Sequence, residues 1–183
     1  MTSVDFLLDL LIVLMTVVIF GIALTFLIHL WWGVPYVPTP MPIVRAMVQA
    51  AKLQPGETVY DLGAGDARLL IEAKRSQSGI RAVGFEVVPT IWLLGILRIV
   101  LSRVRVNFRC RSLFAQNLSD ADVIFLYLSP SMMKRLEQKF DAELAPGTRV
   151  ISNGFFFKGR EPRETIHTPV FLWGKQRVFV YVW

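Results

Sequence analysis

The chain has 183 residues, which is enough for one ordinary domain with an appendage but too short for two full α/β domains. Hydrophobic residues make up 54% and charged residues 19%, more apolar than a typical soluble domain, and the net charge is +6. One cysteine, Cys110, excludes an internal disulfide, and with only two histidines the composition argues against a metal site.

The N-terminal region contains an apolar run from Leu10 to Ile28, nineteen residues without a charge. A helix of this length spans roughly 30 Å, the thickness of the hydrocarbon core of a bilayer. The competing interpretation is a cleaved signal peptide, but no basic segment precedes the run, the run is too long, and no small-residue cleavage motif follows it. We predict a transmembrane anchor over residues 1–32, with Trp31, Trp32 and Tyr36 at the headgroups.

Charge is distributed unevenly around this run. All 20 Lys and Arg lie at or after Arg45, whereas Asp5 and Asp9 stand near the N-terminus. The positive-inside rule therefore predicts a single-pass membrane protein whose C-terminal domain is cytoplasmic. After Asp9 the chain has 20 basic and 12 acidic residues, a net charge of +8. We attribute this charge to contact with an anionic membrane leaflet rather than with nucleic acid, because no basic cluster is interleaved with aromatic residues.

Four prolines in residues 33–42 predict a stiff connector between the anchor and a domain over 43–183. That domain opens with an amphipathic helix over 42–53. Strands are then predicted at 58–62, 82–87, 104–110, 123–128 and 148–152, and helices at 67–76, 90–102 and 131–144. This alternation is typical of a mostly parallel α/β sheet. Segments 168–173 and 178–183 flank a turn and predict a closing antiparallel hairpin.

A glycine-rich loop follows the first predicted strand, in the sequence Val59-Tyr-Asp-Leu-Gly-Ala-Gly-Asp-Ala-Arg68. Gly63 and Gly65 permit close approach of a ligand to the backbone. A dinucleotide would place its pyrophosphate here, and the carboxylates of Asp61 and Asp66 would repel it. S-adenosylmethionine carries an ammonium and a sulfonium but no phosphate, so these charges favour it.

The next predicted strand carries Glu86, twenty-one positions after Gly65. A carboxylate at this place can accept hydrogen bonds from both ribose hydroxyls of an adenosine, although it does not distinguish NAD from S-adenosylmethionine. Alternatively, Glu86 is a solvated strand end, and Asp61 caps nearby backbone N–H groups.

These residues resemble class I S-adenosylmethionine-dependent methyltransferases, with Asp61 to Asp66 as motif I and Glu86 as the ribose-binding acid. Together with Tyr36-Val-Pro and the segment Leu128-Ser-Pro-Ser-Met-Met-Lys-Arg-Leu136, the chain is similar to the ATP synthase c-subunit lysine methyltransferase family and its prokaryotic relatives. The resemblance implies a Rossmann-like seven-stranded sheet and, as cofactor-binding residues, Asp61, Gly63, Ala64, Gly65, Asp66, Glu86, Ser112 and Leu113. The family often has Asp where this chain has Ser112 and Gly where it has Ala67.

Methyl transfer to nitrogen needs an aligned, deprotonated nucleophile but no strong base. Tyr127 and Ser129, after the fourth strand, are our candidates for lining the acceptor site, and Asn153 could act similarly. Tyr127 could instead be a half-buried strand residue and Asn153 a turn cap. The apolar segment Phe155-Phe-Phe-Lys-Gly159 is a candidate for the rim of this site.

The helix around Ile91–Leu101 is apolar nearly all round. Such a helix suits either a membrane interface or the cover of a parallel sheet, and of the two we expect burial in the core. The leading functional hypothesis is a lysine methyltransferase acting on a membrane protein at the cytoplasmic leaflet. The alternatives are a methyltransferase for a lipid or quinone-like molecule and a non-catalytic S-adenosylmethionine-binding membrane module.

Overall fold

The computed structural model describes residues 3–32, 36–168 and 176–183 and divides the chain into two compact units, 1–36 and 37–183. The first unit is one helix, α1, Ser3–Trp32. Its segment Val4–Thr25 is long and apolar enough to cross a membrane, a property that some signal sequences share. The side chains of Trp31 and Trp32, predicted at the headgroups, lie outside the described part of the structure.

The second unit alternates helices and strands as predicted, with small shifts at their ends. The helices are α2 Met41–Ala51, α3 Arg68–Ser76, α4 Pro89–Ser102 and α5 Pro130–Glu143, and a 3-10 turn spans Leu113–Ala115. The strands are β1 Thr58–Leu62, β2 Arg81–Glu86, β3 Asn107–Cys110, β4 Val123–Leu126, β5 Arg149–Asn153, β6 Glu164–His167 and β7 Arg177–Val182.

The strands form one seven-stranded sheet in the order β3-β2-β1-β4-β5-β7-β6. Strands β1 to β5 pair in parallel and β7 pairs antiparallel with β5 and β6, which confirms the predicted fold class. The hairpin begins earlier than predicted: its first strand is Glu164–His167, and residues 169–173 of the predicted 168–173 strand lie outside the described residues. Strand β3 starts at Asn107, three residues after the predicted start.

Two apolar layers cover the sheet, one on each face, and the central strands β1 and β4 are therefore buried on both faces. One layer joins α2, α3 and α4 to the sheet through, for example, Ile43, Met47, Leu70, Phe125 and Ile151. The other packs α5 and the segment after β5 against it through, for example, Leu126, Leu136, Phe140, Phe157 and Tyr181. Because both faces of the sheet are covered, the loops that follow the carboxyl ends of the parallel strands are where a ligand can bind.

Helix α4 departs from the expected core burial. Only Gly95 and Ile99 are buried, and the opposite side of the helix is exposed. The reason is position: α4 covers β2 and β3 at the outer end of the sheet, where the layer stops. A Cβ at Gly95 would overlap the ring of Phe108 on β3, so this glycine allows the close packing of α4 on the sheet edge.

Candidate active site

The loop between β1 and α3 is bound tightly to its neighbours. The backbone N–H groups of Gly63 and Ala64 both donate to the Phe85 carbonyl of β2, at 3.0 and 2.9 Å. Gly63 has φ +78°, and a Cβ there would lie 2.8 Å from Leu128 Cδ2. The positive φ therefore favours glycine at position 63, and a Cβ there would also displace the Leu128 side chain. Ala67, where the family resemblance implies glycine, adopts φ +61° immediately before α3, a conformation that is mildly strained for alanine.

Asp61 lies near the carboxyl end of β1, between Gly84 of β2 and Phe125 of β4. Its residue is only 5% exposed, and among the described residues none donates a hydrogen bond to its carboxylate. Burial, helped by the neighbouring charges of Glu86 and Asp66, raises the pKa of Asp61 to about 8. A cation beside this carboxylate would restore its charged form, so the position favours a positively charged ligand.

Asp66, also predicted to bind the cofactor, is paired with arginines in the structure. Arg68 donates to both of its oxygens, from Nε at 2.8 Å and from Nη2 at 2.7 Å, and Arg98 of α4 lies 3.1 Å away. Burial raises the pKa of Asp66, but the Arg68 hydrogen bonds outweigh it and the pKa is lowered overall. Arg68 also donates to the Thr39 carbonyl at 2.9 Å. Asp66 therefore ties the loop to its surroundings, and its charge is already neutralised.

Glu86 ends β2 and links it to the glycine loop. Its Oε2 accepts from the Gly65 N–H at 3.0 Å and its Oε1 from the Val88 N–H at 2.9 Å. A carboxylate has about four lone-pair positions, so each oxygen can accept a second hydrogen bond from a ribose hydroxyl. The structure thus brings the glycine loop and Glu86, which are twenty-one residues apart in the sequence, into direct contact.

Ser112 and Leu113 follow β3, the neighbour of β2. Ser112 precedes the 3-10 turn, and Leu113 is 7% exposed within it. Because β1, β2 and β3 are adjacent and parallel, the predicted methionine, ribose and adenine contacts follow one another along the same edge of the sheet.

The predicted acceptor residues lie on the other side of β1, after β4. The ring of Tyr127 stacks on Phe155, with centroids 6.2 Å apart and an interplanar angle of 19°. Ser129 precedes α5, and its hydroxyl is 2.8 Å from that of Ser131. Tyr127 is partly buried, so its phenol is both packed and accessible from the edge.

Asn153 at the end of β5 was predicted either to line the acceptor site or to cap a turn, and the structure shows that it is buried. It is fully buried, and neither Nδ2 nor Oδ1 has a hydrogen-bond partner among the described residues. Asp61 pairs with Phe125, which pairs with Ile151, so alternation places Asn153 on the same face of the sheet as Asp61. An unpaired buried amide costs about 1–3 kcal/mol and calls for a functional explanation. No sequence signal could have shown its burial.

Several known proteins are similar to this chain over most of its length. The model of the ANTKMT methyltransferase domain matches residues 61–164. A protein-lysine N-methyltransferase of Saccharolobus islandicus (strain REY15A) is 36% identical over 135 residues, 73% of this chain and 84% of the relative. The chain belongs to the ANTKMT methyltransferase domain family.

Two vertebrate members are also similar. The mouse adenine nucleotide translocase lysine N-methyltransferase is 33% identical over 81% of this chain, and the Xenopus laevis ATP synthase c-subunit lysine N-methyltransferase is 32% identical over 70%. The chain spans 62% and 56% of their lengths. An RNA methyltransferase from Salinibacter ruber, crystallised with S-adenosylhomocysteine, has a TM-score of 0.72 and 34% identity and covers 80% of this chain and 93% of its own.

This ANTKMT-family chain is thus an S-adenosylmethionine-dependent methyltransferase, which confirms the resemblance and the cofactor predicted from the sequence. The residues present fit that cofactor. Gly63 has a positive φ that lets the backbone turn under a ligand, and Asp61 offers a buried carboxylate to a cationic ligand. Glu86 is held where it can meet a ribose. The role of each residue toward the cofactor stays a prediction.

Proposed function

We propose that this chain is a membrane-anchored protein-lysine methyltransferase whose substrate is a membrane-associated protein. The observation that carries the proposal is the unpaired buried amide of Asn153, on the sheet face that also carries Asp61. Asn153 lies two strand spacings from Asp61 across β4 and two residues further along the strand direction, so about 12 Å separate the two positions, a distance that a cofactor and an acceptor meeting at one edge can span. The printed names of the relatives support lysine as the acceptor.

The chemistry that S-adenosylmethionine supplies when bound is a methyl group on an electrophilic sulfonium. A lysine amine has an ordinary pKa near 10.4 and must lose a proton before it can attack. We expect the Asn153 Oδ1 to accept an N–H of the neutral amine and the Tyr127 hydroxyl to assist in orienting its lone pair. The stacked rings of Tyr127 and Phe155 exclude water and accommodate the apolar lysine stem, and desolvation favours the neutral amine.

The membrane part of the proposal assigns α1 as a single-pass anchor, with the catalytic unit on the cytoplasmic side. Its support is the apolar span Val4–Thr25 and the position of every Lys and Arg after it. In such an arrangement the bilayer is a partner, and the substrate is a protein that also resides at the membrane. The relatives named for the adenine nucleotide translocase and for the c-subunit of ATP synthase support this class of substrate.

The test is transfer from radiolabelled S-adenosylmethionine to native membranes by the full-length purified protein, followed by separation of protein, lipid and RNA. We expect label in protein, recovered as methyl-lysine after hydrolysis, and its loss with Asn153→Ala. The matched control is Asn107→Ala, an exposed asparagine at the amino end of β3. Label in lipid would support the small-molecule alternative, and label in RNA would support the activity named for the Salinibacter enzyme. Cofactor binding without transfer would indicate a non-catalytic module.

A further inference from the structure

Helix α4 exposes one continuous apolar face. Five large aliphatic side chains form it, each 42% to 74% exposed: Leu93, Leu94, Leu97, Val100 and Leu101. At 3.6 residues per turn these positions fall within an arc of about 120°. We call this surface the α4 apolar face. Grouped apolar exposure of this kind marks an interaction site, since isolated exposed aliphatic residues need no explanation but a stripe of five does.

The chain segment that contains the α4 apolar face is basic, although Asp66 and Glu72 of the neighbouring loop and helix lie near Arg98 at its rim. Residues 87–119 contain five arginines and neither Asp nor Glu. Arg98, at the rim, is paired with Asp66. Arg103 and Arg105 follow α4 and Arg111 follows β3; all three are exposed, and no carboxylate in the described parts of the chain lies within 4.0 Å of them. Arg109 alternates with Phe108, which packs against α4, and so lies on the opposite face of the sheet.

This combination fits an anionic lipid surface. An interfacial helix buries an apolar side at the level of the acyl chains and places arginines on the phosphates. The chain itself brings such a surface close: only eight residues separate α1 from α2, and eight residues reach at most about 29 Å. If α1 is the anchor, a connector of this length limits how far the catalytic unit can move from the headgroups.

We propose that α4 docks on the anionic headgroup region of the bilayer, with the α4 apolar face inserted and the neighbouring arginines bound to lipid phosphates. This inference rests on the proposed membrane anchoring and goes beyond it by assigning the surface that contacts lipid. The start of α4 follows Glu86 at the carboxyl edge of β2, whereas Arg103 and Arg105 follow its end, near Gly56 and Arg81 at the amino edge of the sheet. Docking along α4 therefore lays the side of the domain that carries α4 on the bilayer, with the active-site edge at one end of the contact.

The experiment uses the full chain in lipid nanodiscs and one fluorescent label at a time. In a Cys110→Ser background, a cysteine replaces Leu97 on the α4 apolar face, or Lys134, an exposed residue on α5 in the other layer, as the matched control. Lipids carrying a shallow quencher report contact with the bilayer. We expect at least twofold stronger quenching at position 97 than at 134 in discs containing phosphatidylglycerol, and a loss of that excess with Arg103→Glu/Arg105→Glu.

Equal quenching at positions 97 and 134 would overturn the proposal. So would a label at 97 that is shielded from water but not quenched by lipid, because a protein surface, a second copy included, would then cover α4. A third label at Leu14, read with a deep quencher, separates the two membrane hypotheses. Quenching at 14 without quenching at 97 rejects α4 docking alone, and no quenching at 14 rejects the anchor.

Discussion

At the residue scale, Asp61 is the group whose chemistry depends most on its surroundings. It is buried near two other carboxylates, yet only Asp66 among them is neutralised by arginine. In the free protein the carboxyl of Asp61 therefore keeps its proton at neutral pH, with a pKa of about 8. A ligand that carries positive charge favours the ionised carboxylate, so binding of the cofactor is coupled to the loss of the Asp61 proton.

We predict that binding of S-adenosylmethionine releases a proton from Asp61 at pH 7. Because the free protein holds that proton up to a pKa of about 8, affinity should increase as the pH rises toward 8, by up to about tenfold per unit, and then level off. Calorimetry in two buffers of different ionisation enthalpy measures the proton count. Asp61→Asn should bind more weakly and release none. A wild-type protein that releases no proton would contradict the assignment.

Asn153 gives the second prediction at this scale. Asn153→Ala should lower kcat/KM for the protein acceptor by about 10–100-fold, as expected for losing a positioning contact in the transition state. Affinity for the cofactor should stay within about twofold. Stability should be unchanged or rise, since an unpaired buried amide costs about 1–3 kcal/mol. The same assays on Asn107→Ala give the control. A stability loss with unchanged turnover would identify Asn153 as structural.

At the element scale, α4 connects three parts of the catalytic unit. Arg98 holds the cofactor loop through Asp66, Gly95 packs against Phe108 of β3, and the far side of the helix is the α4 apolar face. A shift of this helix should thus affect the loop and the sheet edge together. The carbonyl of Gly65 lies 3.3 Å from where a Cβ on Gly95 would stand, which makes this coupling direct.

We predict that Gly95→Ala destabilises the protein by about 1–3 kcal/mol because its methyl group overlaps the Phe108 ring. It should also weaken cofactor binding through the Gly65 backbone. Thermal or denaturant unfolding measures the first effect and calorimetry the second. Phe108→Leu removes the obstructing ring, so the double variant should lose less than the two single changes added together. Strict additivity would mean that the contact is unimportant.

At the scale of the whole molecule, the chain combines an apolar helix with a basic catalytic unit. The second unit contains the entire sheet and both apolar layers, and so has the core of an independent domain. Within the first unit, the helical segment from Val4 to Thr25 is not buried at all. An exposed apolar surface of this length has a physical use only in contact with lipid or another protein.

We predict that the full-length protein remains in the membrane pellet after alkaline carbonate extraction. Leu14→Arg/Val18→Arg should release a large fraction of it, since each arginine at the centre of a transmembrane helix costs about 2.5–3.5 kcal/mol. Leu14→Ile/Val18→Ile is the matched control and should stay in the pellet. Intact-mass measurement accompanies the extraction. Release of the wild type, or a mature protein lacking α1, would refute the anchor and favour a signal sequence.

The sequence by itself determined the sheet and the cofactor class. Alternating apolar runs and helical segments predicted the parallel strands, because burial on both faces leaves a pattern that local composition records. The glycine loop with its two carboxylates predicted S-adenosylmethionine, and Glu86 predicted an adenosine, because both stand at the carboxyl ends of neighbouring parallel strands, where such sheets bind cofactors. The first strand of the final hairpin was placed too late, since β6 is mostly exposed and has little apolar signal.

Only the tertiary structure decided the charge and the free hydrogen-bonding capacity of each polar group in the site. The sequence shows Asp61 and Asp66 as equal carboxylates, but Arg68 and, thirty-two residues beyond Asp66, Arg98 neutralise Asp66, and burial raises the pKa of Asp61. The unpaired amide of Asn153 and the exposure of α4 likewise depend on neighbours distant in the chain. Burial and pairing are properties of packing, and local sequence patterns do not contain them.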